Sequence, residues 1–250
     1  MPHLAFHMSV ARDLANVMRN AVINADRGSF YMGSTGPDMR ILSRADRMSS
    51  HFFDLDCLEE QDARESFFAT HGDLRDSAAL DATTASFVAG YLTHLVIDEI
   101  WITDIYRPFF GPDSSLGGDA RANVLDRVLQ YDIDLQRRTN RPVMDEVRRE
   151  ILRTSLDVHA DFIDRDILAR WRDIVVDMVS RPADWGRFAK TASRFLAVAG
   201  VSGEDEIEQF IKTLPALLEE TKAHVGEEQL ASFLVKANAL TLKALEEYLS

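Results

Sequence analysis

The sequence has a single cysteine, Cys57, among its 250 residues. One thiol excludes a disulfide framework, and it also excludes the zinc modules that are built from several cysteines. Long uncharged stretches are missing as well, since the longest apolar run, Ala85 to Ile97, contains His94 and ends at Asp98. A membrane-spanning helix needs about 18 or more apolar residues in a row, so we expect no integral membrane segment.

Basic residues are scarce: 28 Lys and Arg stand against 41 Asp and Glu, for a net charge of -13. A field of this sign repels polyanions, so we expect no nucleic-acid partner. A small phosphorylated substrate held by a few local positive groups is compatible with it. The N-terminal sequence has no basic segment followed by an apolar core, which predicts a cytoplasmic protein.

Several catalytic signatures are absent too. The chain has no phosphate-binding P-loop, no G-x-G-x-x-G motif after a strand, no G-x-S-x-G elbow and no H-E-x-x-H motif. What remains is the composition of an ordinary globular protein, with 46% hydrophobic and 28% charged residues.

The hydrophobic pattern is helical almost throughout, and the alternation typical of strands is rare. We therefore predict an all-α fold. The segment from Ala78 to Tyr106 predicts a long helix that is apolar on nearly every side. Two stretches rich in Gly, Ser and Pro, Arg27 to Asp38 and Pro108 to Gly118, predict loops.

A composition change near Ser180 to Asp184, where the chain becomes acidic and rich in alanine, suggests a boundary. We predict a helical core over residues 1–180 and a helical C-terminal extension over residues 181–250 that packs on the core. The final helix, Glu227 to Leu249, could instead join two subunits, which leaves a homodimer as an alternative.

The most informative pair is His94 and Asp98, which are four residues apart on the long helix. This spacing places both side chains on one face. A carboxylate inside an apolar helix is costly unless it is paired or bound to a metal. The pair is therefore either a structural His–Asp hydrogen bond or part of a metal site.

Other candidate ligands lie earlier in the chain. Asp38 follows a proline in the Gly-rich segment, and it is either aimed at a site or caps a helix that begins at Met39. His51 is a further candidate, whose simpler interpretation is a half-buried helix residue. His3 and His7 form another pair one turn apart.

Taken together, four segments resemble the zinc-dependent phospholipase C family, whose superfamily includes the single-strand-specific fungal nucleases. The segments are HMSVARDL from His7, FYMGSTGPDMR, SHFFD and FVAGYLTHLVIDEIW. They share the order of a histidine in the first helix, a Gly-rich segment ending in Pro-Asp, a histidine 13 residues later and a His-x-x-x-Asp helix. The resemblance covers roughly residues 1–110, and it implies a multi-helix bundle of that family's type with a metal cluster that hydrolyses phosphoesters.

The resemblance also implies ligands. One complete metal site would consist of Asp38, His51, His94 and Asp98. Asp98 would bridge to a second metal that His7 binds, and His3 is the candidate that completes this second site.

A third metal of the family has no complete ligand set here. Asp104 stands where a histidine is expected after the metal helix, and His159 is followed four residues later by Ile163 rather than by a carboxylate. His159 stays a candidate ligand, and we expect one or two metals rather than three.

Imidazole nitrogens and carboxylate oxygens without thiolate suit Zn²⁺, although Fe and Mn take the same ligands. Asp38 is the candidate general base, because it lies on the site's loop and the family uses it in that role. On the substrate side, Arg40 could neutralise a phosphate. Phe109 and Phe110 could form a gate in the loop that follows the metal helix.

These observations favour a metal-dependent hydrolase that acts on a small phosphoester through a metal-activated water. A metal-stabilised helical scaffold without catalysis is an alternative. Another is a His/carboxylate metalloenzyme with different chemistry, such as iron-dependent redox chemistry in a biosynthetic pathway.

Overall fold

The protein is helical in the computed structural model, which describes residues 3–250 apart from the side chain of residue 191. Helices make up 76% of the chain, and the described residues include no strand. The all-α prediction is confirmed.

The α-helices range from 4 to 22 residues in length. In chain order they are α1 (Leu4–Met18), α2 (Ala21–Ala25), α3 (Arg27–Gly33), α4 (Arg40–Ser43), α5 (Met48–His51), α6 (Ala63–Thr70), α7 (Ala82–Trp101), α8 (Arg107–Phe110), α9 (Ala120–Thr139), α10 (Arg141–Arg153), α11 (Arg165–Ser180), α12 (Phe188–Thr191), α13 (Ser193–Val198), α14 (Glu204–Val225) and α15 (Glu227–Tyr248). Turns of 3₁₀-helix lie at Gly36–Met39, Gly72–Leu74, Ser77–Ala79 and Trp185–Arg187, and a π-helical turn lies at Ile102–Tyr106.

The central element is α7, which is buried on nearly all sides. It begins at a capped end, where the Asp81 carboxylate accepts a hydrogen bond of 2.9 Å from the backbone N–H of Thr84. The helix continues through the π turn into α8. The whole span, Ala82–Phe110, is long and apolar enough to cross a membrane, but 94% of its most apolar window is buried inside the protein. It has the burial of a core helix.

Helix α3 crosses α7 backbone to backbone through two glycines. A Cβ atom on Gly33 would overlap the carbonyl oxygen of Phe87, and one on Gly90 would overlap the carbonyl oxygen of Phe30. The prediction of a loop from residue 27 to 38 is therefore wrong for its first half, which is α3. Its glycine serves close helix packing rather than a turn.

Helix α1 is fixed at its N-terminus by a carboxylate from α9. Asp134 Oδ1 accepts hydrogen bonds from the backbone N–H groups of Ala5, at 2.8 Å, and Phe6, at 3.1 Å. These two groups have no partner within α1 itself, as at every helix start. Asp134 thus sets the position of the first turns of α1, including His7.

The C-terminal helices pack against the preceding ones in two places. Helix α15 lies on α7, where Phe233 contacts the ring of Trp101 at a centroid distance of 5.1 Å. Helices α12 to α14 form a second apolar cluster with α9, which includes Phe188, Leu196 and Leu214. The buried face of α15 is therefore occupied by its own chain, and a homodimer through these helices stays a prediction.

The glycine crossing predicts a sharp response to a single methyl group. Replacing Gly90 by Ala forces a Cβ into the backbone of α3, so we expect a loss of about 3 kcal/mol or more in the free energy of unfolding. Gly72→Ala is the matched control, because a Cβ there meets nothing within 4 Å. Urea denaturation should find Gly72→Ala within about 0.5 kcal/mol of the wild type. Equal stabilities for the two variants would contradict the crossing.

The anchor of α1 predicts a pH dependence. Burial raises the pKa of Asp134 from 3.8 to about 6, so the folded protein holds this proton more tightly than the unfolded chain does. The contribution of the protonated Asp134 carboxyl group to the stability of the fold is therefore complete below pH 3.8 and is lost as the pH rises through 6. Relative to Asp134→Asn, which keeps an acceptor oxygen, the free energy of unfolding of the wild type should fall by about 2–3 kcal/mol between these two pH values. A pH-independent difference between the two proteins would contradict the buried acid.

Candidate metal centre

Five side chains from four parts of the fold meet beside α7. They are His7 on α1, Asp38 in the first 3₁₀ turn, His51 at the end of α5, and His94 and Asp98 on α7. They form two overlapping groups that could hold a metal ion, His7–His94–Asp98 and Asp38–His51–His94, with the ligand atoms of each group within 4.8 Å of one another.

The separations within the cluster are those of ligands around an ion. Asp98 Oδ1 is 3.4 Å from His7 Nε2, and Asp98 Oδ2 is 3.2 Å from His94 Nε2 and 3.6 Å from His51 Nε2. Asp38 Oδ1 also lies 3.6 Å from His51 Nε2. Ligands bound tetrahedrally at about 2.0–2.2 Å are roughly 3.3–3.6 Å apart, which matches these distances. One oxygen of Asp98 faces His7 and the other faces the remaining two histidines.

Several polar atoms of this cluster are buried without a hydrogen bond to any described residue. Nε2 of His51, Nε2 of His94 and both carboxylate oxygens of Asp98 have no hydrogen-bond partner among the described residues. Unsatisfied polar atoms at such depth are rare in native proteins, because each one costs free energy of desolvation. A cation at the centre would satisfy all of them at once.

The opposite ring nitrogens are held by the protein. Nδ1 of His94 donates to the carbonyl oxygen of Ser34 at 2.9 Å, so Nε2 is left with its lone pair. Ser50 Oγ donates to the carbonyl oxygen of Arg47 and accepts from Nδ1 of His51 at 2.8 Å. Outer partners of this kind fix the orientation and tautomer of histidines that bind metals.

Contacts along α7 set these partners in place. Tyr91 donates from its hydroxyl to the carbonyl oxygen of Ser50 at 2.6 Å, which ties α5 to α7. Ser34 directly follows Gly33, so the close crossing of α3 and α7 at the two glycines places the carbonyl oxygen of Ser34 next to His94. The packing of the core and the orientation of the candidate ligands therefore depend on the same contacts.

The electrostatics favour a positive charge at the centre. Burial lowers the pKa of His7 and of His51, which keeps their imidazoles neutral. Burial opposes charge on His94 too, but the Asp98 carboxylate outweighs it and raises the pKa of His94. For Asp98, burial acts to raise the pKa, yet His94 and His7 lower it well below its usual range. Asp98 is therefore ionised and His7 and His51 are neutral, as metal binding needs, and a metal that binds would displace any proton held between His94 and Asp98.

Two candidate histidines lie outside both groups. The ring of His3 makes an edge contact with Tyr131, at a centroid distance of 5.6 Å, and burial lowers its pKa to about 3. The side chain of His159 is 68% exposed, and its backbone N–H donates to Thr84, near the start of α7. Ten residues of helix, roughly 15 Å, separate Thr84 from His94. His3 thus borders the cluster, whereas His159 lies away from it.

A cavity of about 620 Å³ adjoins the cluster through Asp38. Four arginines line it: Arg40, Arg47, Arg127 and Arg194. Its aromatic walls come from Trp101, Tyr106 and Phe195. Arg40 was expected from its place beside Asp38. Sequence reasoning missed Arg127 and Arg194, since they lie more than 80 positions after Asp38 and no local pattern links them to the site.

Phe109 and Phe110 do not line this cavity. The expected loop from 108 to 118 begins as helix α8, and Phe110 is fully buried in the core. The carbonyl oxygen of Phe109 lies 2.8 Å from Nε2 of His224 on α14. The gate predicted from these two rings is replaced by a contact between α8 and α14, because the π turn prolongs the helix past Tyr106.

Comparison of the chain with models of protein families, with curated proteins and with solved structures gives no match. The chemistry of the site is therefore argued from its geometry.

The cluster predicts which substitutions abolish metal binding. Loss of Nε2 in His94→Ala removes an atom common to both candidate groups, so we expect bound metal, measured by plasma mass spectrometry after purification with Zn²⁺, to fall to background. His159→Ala is the matched control and should keep the wild-type stoichiometry, because this exposed ring lies outside the cluster. Retention of the wild-type amount of metal by His94→Ala would overturn the assignment.

Proposed function

We propose that the protein is a metal-dependent hydrolase that cleaves a small phosphoester. The observation that carries this proposal is the position of Asp38, which belongs to the buried His/Asp cluster and also lines the cavity with the four arginines. A cation and an anionic substrate could therefore be held side by side. The alternating charges, carboxylates in the cluster and guanidinium groups around the cavity, support this pairing.

Zinc is the proposed metal. The donor set has three imidazoles and two carboxylates with no thiolate, and its spacing fits tetrahedral coordination. The two groups overlap at His94, and we propose that they take one ion or two. Iron and manganese share these ligands, so metal analysis of purified protein decides between them.

A bound divalent ion would polarise a phosphoryl oxygen and lower the pKa of water at the site. The chain's own contribution begins with Asp38, whose side chain is 21% exposed and reaches the cavity. Burial acts to raise its pKa, but the nearby imidazoles of His51, 3.6 Å away, and of His94 outweigh burial and keep the carboxylate ionised. Asp38 can therefore take the proton of an attacking water as the new P–O bond forms.

Two arginines are placed to bind the phosphate that is attacked. Arg40 lies two residues after Asp38, and Arg47 lies four residues before His51; both line the cavity. Their guanidinium groups would neutralise the phosphoryl oxygens while the bond to the leaving oxygen breaks. The leaving oxygen takes up a proton, and the products are an alcohol and a phosphate.

Asp38→Asn tests this role. The amide keeps an oxygen for the cluster but cannot accept the proton, so we expect kcat to fall by about 10²–10³-fold while bound metal is retained. Hydrolysis of bis(para-nitrophenyl) phosphate by the zinc-loaded protein is the measurement.

Asp46→Asn is the control, since Asp46 is exposed on the same segment and outside the cluster. It should keep the wild-type kcat. Full activity in Asp38→Asn, or no hydrolysis by zinc-loaded wild type of any ester in a broad phosphoester panel, would contradict the proposal.

A further inference from the structure

The arginines of the cavity come from two separate parts of the chain. Arg40 and Arg47 belong to the segment that carries Asp38 and His51, so they are at the metal end. Arg127 comes from α9, and Arg194 comes from α13, the helix that packs against α9. Only one of these two pairs is needed to neutralise a single phosphoryl group.

Nine arginines elsewhere in this acidic protein make ion pairs with carboxylates. They are Arg12, Arg27, Arg64, Arg75, Arg121, Arg141, Arg153, Arg165 and Arg181. Arg127 and Arg194 have no carboxylate partner among the described residues. Both arginines line the cavity beside the cluster, so they bring positive charge to it that no ion pair offsets.

The guanidinium group of Arg127 is held in place without being neutralised. It lies over the ring of Phe195 at 4.3 Å from the centroid, and it donates to Gln130 Oε1 at 2.7 Å. Its Nε is buried and has no hydrogen-bond partner in the part of the chain that the structure describes. This arginine is therefore oriented, partly dehydrated and left with free donors, which is the state of a site for an anion.

The neighbouring carboxylate does not form an ion pair with Arg127. Asp126 also lines the cavity, but its Oδ1 accepts from the indole N–H of Trp101 at 3.1 Å and its Oδ2 accepts from Gln130 at 2.6 Å. Because both oxygens have these donors, the remaining donors of the Arg127 guanidinium group are left for a ligand.

We infer that the substrate carries a second anionic group, a carboxylate or a phosphate, which Arg127 and Arg194 bind while the reacting phosphoryl group lies beside Asp38. This inference rests on the proposed function and narrows its substrate class to small phosphoesters with two separate negative ends. The volume of about 620 Å³ suits a molecule of metabolite size.

Binding is tested with three probes that are not hydrolysed. They are propylphosphonate, its analogue with a second phosphonate at the far end of the propyl chain, and its analogue with a carboxylate there. Isothermal titration calorimetry on the zinc-loaded protein should find at least one doubly anionic probe bound about tenfold or more tightly than propylphosphonate. The two analogues distinguish phosphate from carboxylate as the second group.

The double variant Arg127→Gln/Arg194→Gln should lose this preference and keep the affinity for propylphosphonate. Arg148→Gln/Arg149→Gln is the matched control, because it removes the same two charges from an exposed face of α10 and should keep the preference. Circular dichroism verifies that both variants are folded. Equal affinities of the wild type for all three probes, or a preference that survives in the Arg127/Arg194 variant, would overturn the inference.

Turnover separates this inference from the proposal it rests on. The assay compares propyl para-nitrophenyl phosphate with its analogue that has a terminal carboxylate on the propyl chain. Hydrolysis of both esters with equal kcat/KM, together with equal probe affinities, overturns the second anion site and leaves the hydrolase standing. A clear preference among the probes without hydrolysis of any ester supports the anion site and overturns the hydrolase.

Discussion

The structure depends on how it accommodates one buried carboxylate. Asp98 lies in the last turn of the apolar helix α7 and is only 2% exposed, where an isolated charge would cost several kcal/mol. Three imidazoles surround it at 3.2–3.6 Å, yet its oxygens make no hydrogen bond to a described residue. A shared cation resolves this conflict, because it compensates the charge and uses the lone pairs of the histidines.

The surrounding fold serves the same arrangement. The glycine crossing of α3 and α7 brings the carbonyl of Ser34 to His94, and Asp134 fixes the helix that carries His7. These contacts are made by backbone atoms and by helix ends, where small changes in packing translate into shifts of a ligand. The stability of the core and the geometry of the candidate metal centre are therefore linked, and substitutions far from the cluster are expected to disturb both.

Sequence reasoning recovered what short-range geometry determines. The helical period reveals the all-α class, and a four-residue spacing is enough to place His94 and Asp98 on one face. It failed where a residue's role depends on distant partners. The local sequence predicts that Gly33 lies in a loop, whereas its role is set by the packing of α3 on α7. The local sequence also predicts a loop at Phe110, whereas the π turn extends the helix through this residue. Arg127 and Arg194 join the cavity only through the packing of α9 and α13.

The central claim is that Asp98 and its histidines bind a metal ion beside the arginine-lined cavity. Anomalous X-ray scattering from crystals of the zinc-loaded protein, recorded on both sides of the zinc absorption edge, tests it most directly. We expect an anomalous peak at about 2.0–2.2 Å from Nε2 of His94 and from an oxygen of Asp98. An anomalous peak found only at other residues would contradict this claim. So would the absence of any peak from crystals in which Asp98 forms hydrogen bonds to the histidines.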